Sequence, residues 1–224
     1  SDLPAAIDAG NQTVRISATA DLSAKTLSNV GGAFTIDSGV TATLSAAQAT
    51  AINAGGGLTN NGTVNVGASG DLSSSNFTNV NTVTLSGATT LPDSTSDLPA
   101  TINAGNQTVR ISATADLSAK TLSNVGGAFT VDSGVTATLS LAQLTAIEAG
   151  GGITNNGTLN VNTASGDLTS DNLSVVDGTL TLSGATTLPN STSDLPAAID
   201  AGNQTVRISA TADLSAKTLS NVGG

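Results

Sequence analysis

Thr13-Val14-Arg15-Ile16, Ala33-Phe34-Thr35-Ile36, Thr63-Val64-Asn65-Val66 and Thr82-Val83-Thr84-Leu85 share one pattern. Their second and fourth positions are apolar, and their first and third are small, polar or, at Arg15, charged. A period of two is the mark of a strand with one buried face. The pattern reopens at Thr108, Ala128, Thr158, Thr179 and Thr205. The first four openings and the next define coils of 20, 30, 19 and 26 residues. A strand that returns after such intervals must travel round before pairing, so parallel stacking is expected.

Outward from these strands, the chain is a tandem repeat. Ala9 to Thr35 recurs unchanged from Ala104 to Thr130, and begins again at Ala201. The string SDLPA starts at Ser1, Ser96 and Ser193, with periods of 95 and 97 residues. The predicted fold is therefore mainly β: a parallel β-solenoid of about nine coils, with short helices in the longer coils. It runs as one continuous solenoid over residues 1–224, in units 1–95, 96–192 and a partial 193–224. The two extra residues of the second unit, in 161–167 and 174–180, are expected in loops. The chain starts in mid-pattern, which predicts a longer parent protein.

The connecting segments carry their own signals. Ser45-Ala46-Ala47-Gln48 has capping-box spacing and predicts a helix through Ala49, Ile52 and Ala54, stopped by Gly55. Residues 139–151 repeat it, with Leu141 and Leu144 added. Asp97-Leu98-Pro99 reads as a second kind of helix start, ending near Ala104-Gly105. Asp21-Leu22-Ser23 and Asp71-Leu72-Ser73 read as caps of single turns. Val14, Ile16, Phe34, Ile36, Val64, Val66, Val83 and Leu85 are assigned to two inward columns, continued by Val109 and Ile111. Leu22, Leu27, Leu44, Ile52, Leu72 and Phe77 are expected to close the opposite side.

Composition narrows function. The 224 residues contain no His, Cys, Met, Trp or Tyr, and three Phe. A core of small aliphatics suits a narrow interior. The net charge is −10, with six basic residues: Arg15, Arg110, Arg207, Lys25, Lys120 and Lys217. Such a chain repels phosphate backbones and anionic lipid, which argues against nucleic-acid partners. No apolar run approaches the roughly 20 residues a membrane span needs, so no membrane insertion is expected.

Two resemblances follow from the coils. Phe77-x2-Val80-x2-Val83-x-Leu85 resembles the apolar spacing of leucine-rich repeats. Ser86-Gly87 stands where that family has asparagine, and coil length varies, which points to convergence. Segments such as TLSAAQATAI (43–52) and GTVNV (62–66) resemble the very large repetitive surface proteins of bacteria. That likeness implies an extracellular or cell-surface β-solenoid used as stalk, adhesin or matrix, and it implies no site residues.

Catalysis would rest on Ser, Thr, Asp, Lys and Glu148, and a solenoid acting on polysaccharide would need clustered carboxylates in an aromatic-lined groove. Calcium would need six to eight oxygens, and the GGxGxD pattern is absent, so no cofactor is expected. The Asp93–Asp97 cluster reads as caps and solvated turns. Asn29, Asn60, Asn61, Asn79 and Asn106 at coil ends suit left-handed turns or amide ladders. Asn11-Gln12-Thr13 also has the form of a glycosylation acceptor. Thr-x-Thr ranks for ice binding are interrupted, because the third position cycles Arg, Thr, Asn, Thr. That outward rank, Arg15, Thr35, Asn65, Thr84, Arg110, Thr130, Asn160, Thr181 and Arg207, is the candidate binding face. Asp21 and Lys25 are expected to form a weak local pair. The leading expectation is a structural or adhesive segment, self-associating or joined to neighbouring repeats. A module binding cell-surface glycans and a polysaccharide-acting enzyme are the alternatives.

Overall fold

The computed structural model describes residues 3–60, 62–67 and 69–223. It is mainly β, with parallel sheets and two α-helices. Every strand pairing among these residues is parallel. Paired residues lie from 18 apart, at Ala164 and Leu182, to 24 apart, at Phe34 and Leu58. Parallel neighbours need a crossover of a dozen or more residues. Here the crossover consists of strands belonging to other sheets.

The six-stranded sheet shows the arrangement best. It contains Ala20–Asp21, Thr41–Leu44, Thr63–Val66, Thr82–Leu85, Thr101–Asn103 and Thr121–Ser123, each paired with the next. Between its first two strands the chain passes through Thr26–Ser28 of a two-stranded sheet and Phe34–Ile36 of a three-stranded one. Between its last two strands it passes through Val109–Ile111 of a five-stranded sheet and Ala115–Asp116 of a seven-stranded one. These two laps each visit three strand stations; in the laps between them α1, a 3-10 turn or a segment without a strand takes one of the places.

Alternation sorts side chains in and out. Val64 and Val66 are fully buried, while Thr63 and Asn65 are half-buried. Phe34, Ile36, Val83, Leu85, Val109 and Ile111 are buried as expected from the period of two, as are Leu22, Leu44, Ile52, Leu72 and Phe77. Val14, Ile16 and Leu27, in the first laps, are only half-buried against this core. Each full burial of such a side chain contributes about 1.5–3 kcal/mol, so interior laps hold most of the stability.

The two predicted helices are present: α1 (Ala46–Ala54) and α2 (Leu141–Ala149). Both begin with a complete capping box, Ser45 with Gln48 and Ser140 with Gln143. α1 stops at Gly55 as the sequence predicts, with that glycine as its C-terminal cap. Gly55 is not left-handed, with φ −86°. Glycine is needed there because a Cβ would strike the Val30 carbonyl of the lap beneath. The left-handed residue is Gly57, at φ 80°.

Other expectations are corrected. No α-helix follows Asp97-Leu98-Pro99; a 3-10 turn spans Thr95–Asp97 and a strand follows at Thr101–Asn103. Proline disfavours helical geometry in the residue before it, and Leu98 is extended at φ −77°, ψ 141°. The coil openings do not stack as one series. Val14 pairs with Phe34, Thr63 with Thr82, and Val109 with Phe129. Phe34, however, pairs with Leu58, and Thr63 lies on Thr41. Likewise Thr82 pairs with Thr101, Phe129 with Ile153, and Thr179 with Ala198. The long coils hold an extra strand, so the chain completes a lap before the next opening arrives. One extra stretch of the second unit also sits within a strand, Thr158–Asp167, where register shifts between Val161 and Gly166 absorb it.

Candidate functional site

The candidate face begins from alternation: if Val14 and Ile16 point inward, Arg15 points out. The structure does so, and gives the guanidinium a partner. Arg15 Nε donates to Asp37 Oδ1 at 2.8 Å and its terminal nitrogen to Oδ2 at 2.9 Å. Arg110 holds Asp132 the same way, with 2.9 Å and 2.7 Å contacts. Each acceptor lies just beyond the strand of the next lap, 22 residues on. The carboxyl of Asp37 is held below its ordinary range by the hydrogen bonds from Arg15. Both arginines remain more than half exposed, so the pairs align neighbouring laps more than they stabilise them.

The nine candidate residues do not form one rank. Arg15 lies beside Thr35 on the three-stranded sheet. Asn65 lies beside Thr84 on the six-stranded sheet, and Arg110 beside Thr130 on the five-stranded one. Asn160, Thr181 and Arg207 belong to the seven-stranded sheet, where their neighbours are Thr138, Asp200 and Thr187. Several are also occupied by their own fold. Asn65 accepts from Ser86 Oγ at 2.8 Å, and Asn160 accepts from the Thr179 N–H at 2.8 Å.

Asp and Asn side chains work mainly within turns. In the Asp-Leu-Ser strings, Asp21 and Asp213 accept the N–H two residues ahead, and Asp71 does the same. Asp167, in Asp-Leu-Thr, repeats it. These bonds hold all four carboxyls below the ordinary range: bonds to the Ser23 and Ser215 side chains lead at Asp21 and Asp213, and N–H bonds from Ser73 and Thr169 lead at Asp71 and Asp167. Lys25 contributes only the smallest of the causes that lower the Asp21 carboxyl, through weak charge attraction, and its Nζ donates to the Leu3 carbonyl at 3.0 Å. Lys120 and Lys217 bond the matching carbonyls of Leu98 and Leu195.

Asn29 and Asn106 take left-handed backbone, at φ 51° and 59°, as the coil-end reading requires. Asn79 does not, and Asn61 lies outside the described residues. The expected amide ladder reduces to single bonds between laps: Asn29 Nδ2 donates to the Asp8 carboxylate, and Asn124 Nδ2 to the Asn103 amide oxygen. Beside α2 a cleft of about 330 Å³ is lined by Leu144, Thr145, Glu148, Ala149, Asp171 and Leu173, among others. Among the described residues, no group of three or more His, Cys, Asp or Glu is placed to hold a metal ion. Among the described residues, no helix is long and apolar enough to cross a membrane.

Sequence reasoning overlooked Asp37 and Asp132 as arginine partners. A signal existed: the Arg-to-Asp interval of 22 residues is the same in both copies and is close to one lap. It placed Gln48 in the capping box but overlooked that the Gln48 and Gln143 amides also bond carbonyls of the lap beneath. No known protein family, curated protein or solved structure matches the chain.

Proposed function

We propose that residues 1–224 form one continuous parallel β-solenoid that serves as a structural or adhesive segment of an extracellular or cell-surface protein. Its product is length and surface: a rigid stalk or the wall of a fibre, without catalysis. The observation that carries this reading is the pairing pattern. Parallel ladders recur along the described chain at separations of 18 to 24 residues, from Ala6–Asp8 to Thr218–Ser220. Stability in such an array is nearly a sum of neighbour terms, so length can grow by adding copies. Partners on this reading are neighbouring repeats of a longer chain, or other copies of it.

Small-angle scattering of the chain and of a version with one more 95-residue unit tests the reading. Rod-like scattering whose length grows by roughly 20 Å, at ~4.8 Å per lap, supports it. A compact particle in either protein overturns it. Glycan binding is separable by the same reagents. The arginines already hold Asp37 and Asp132, so Arg110→Ala should leave glycan-array signals unchanged; array binding abolished by that substitution would favour a carbohydrate-binding module instead.

A further inference from the structure

Copies of one sequence occupy different sheets. Val14–Ile16 lies in the three-stranded sheet, Val109–Ile111 in the five-stranded sheet, and Val206–Arg207 in the seven-stranded sheet. Ala6–Asp8, Thr101–Asn103 and Ala198–Asp200 are similarly divided among the two-, six- and seven-stranded sheets. The reason is a count. From Ala20 to Ile102 the six-stranded sheet records four laps, through Ala42, Val64 and Val83. Ile7, which Ile102 repeats, precedes Ala20 by two of the three stations, those of Ile7 and Val14. One unit therefore spans four and two-thirds laps. The second unit gives the same number: Ile102 precedes Ala115 by two stations, and four further laps lead through Ala137, the Thr158–Asp167 strand and Leu180 to Ile199.

Resting on the solenoid reading above, we propose that each repeat turns its surface groups by one third of a revolution relative to the last. The same exposed group then faces three flanks in succession and returns to its first flank after three copies. Arg15 with Asp37, Arg110 with Asp132, and Arg207 mark three such flanks. The helices obey the same rule: α1 follows Thr41–Leu44 of the six-stranded sheet, whereas α2 follows Thr136–Ser140 of the seven-stranded one. Successive copies are only about 22 Å apart along the axis at ~4.8 Å per lap. A bulky partner bound at one copy would block a same-side neighbour, but it leaves the next flank open. This display fits partners that approach the rod from several sides. A single flat surface would meet a given group once in three repeats.

The chain has no cysteine, so pairs of introduced thiols report stacking directly. Neighbouring outward residues on parallel strands are within disulfide reach. Thr90 lies beside Arg110, and Thr82 beside Thr101. Oxidation should therefore cross-link T90C/R110C and T82C/T101C almost completely, and T84C/R110C hardly at all. A repeat of four whole laps would place Thr84 beside Arg110 and Thr82 beside Thr108, and would reverse all three results. That reversal would overturn the one-third turn while leaving a solenoid standing. Absence of cross-linking in all three proteins, each with native circular dichroism, would remove the stacked solenoid itself and the inference with it.

Discussion

Residues 9–35 and 104–130 have identical sequences but lie in different sheets. Their local geometry is the same. Asn11 and Asn106 are left-handed, at φ 57° and 59°, and each accepts a glycine N–H of the next lap at 3.1 Å. Burial is not the same, since Val109 is 3% exposed and Val14 is only half-buried. Turns and caps travel with the sequence, whereas burial depends on which laps lie above and below. A second contrast involves the helices. Thr50 Oγ1 of α1 meets the buried Ser75 Oγ at 2.9 Å, tying the helix to the following lap. In the second unit the corresponding residues are Thr145 and Asp171, and the cleft beside α2 lies between them.

The largest expected difference is in the first contrast. Val109→Asp places an unpaired charge in the core and should cost about 3–5 kcal/mol. Val14→Asp should cost roughly 1–2 kcal/mol, and the outward Thr108→Asp about 0.5 kcal/mol or less. Urea denaturation monitored by hydrogen exchange would separate them, and equal losses at Val109 and Thr108 would refute the inward register.

The shared helix start comes next. Gln143 Nε2 donates to the Leu117 and Lys120 carbonyls, each at 2.7 Å, and its Oε1 accepts the Ser140 N–H. Gln48 makes the same three bonds. Either substitution by alanine should cost about 2–3 kcal/mol, because buried backbone groups lose their partners. A loss at one site more than twice that at the other would show that the two starts are not equivalent.

The helix-to-lap tie should be smaller. Ser75→Ala should cost about 1 kcal/mol. Asp171→Ser should slow amide exchange in α2, by letting Thr145 form the bond that Thr50 forms. Faster exchange in α2 would mean that Asp171 supports the helix through some other contact.

Acid should have the weakest effect, through two turn carboxyls of the first unit, one of the second and one of the partial third. The folded carboxyls of Asp21, Asp71, Asp167 and Asp213 lie below the ordinary value of 3.8. A lowered folded value contributes stability that is present above 3.8 and is lost as pH falls through it. Thermal melting should therefore stay level from neutral pH to about 5 and decline below 3.8. A decline beginning near neutrality would point to groups other than these turn carboxyls.

Much of this fold was legible because it is local. The period of two at Thr63–Val66 separated Val64 and Val66 from Thr63 and Asn65, and the Ser45-Gln48 spacing located α1. The candidate rank was not legible, because its members share a pattern without sharing a flank. Arg15 and Arg110 sit in identical sequence from Ala9 to Thr35 and from Ala104 to Thr130, yet their strands belong to different sheets.

The sequence by itself determined the strand alternation, the helix caps, the turns at Asn29 and Asn106, and the tandem repeat. Each depends on side chains a few residues apart. Tertiary structure alone decided that Phe34 lies under Leu58, that Arg15 meets Asp37, and that copies fall on different sheets. Those outcomes depend on how many residues separate paired positions, a number that ranges from 18 at Ala164 and Leu182 to 24 at Phe34 and Leu58 and that no local pattern encodes.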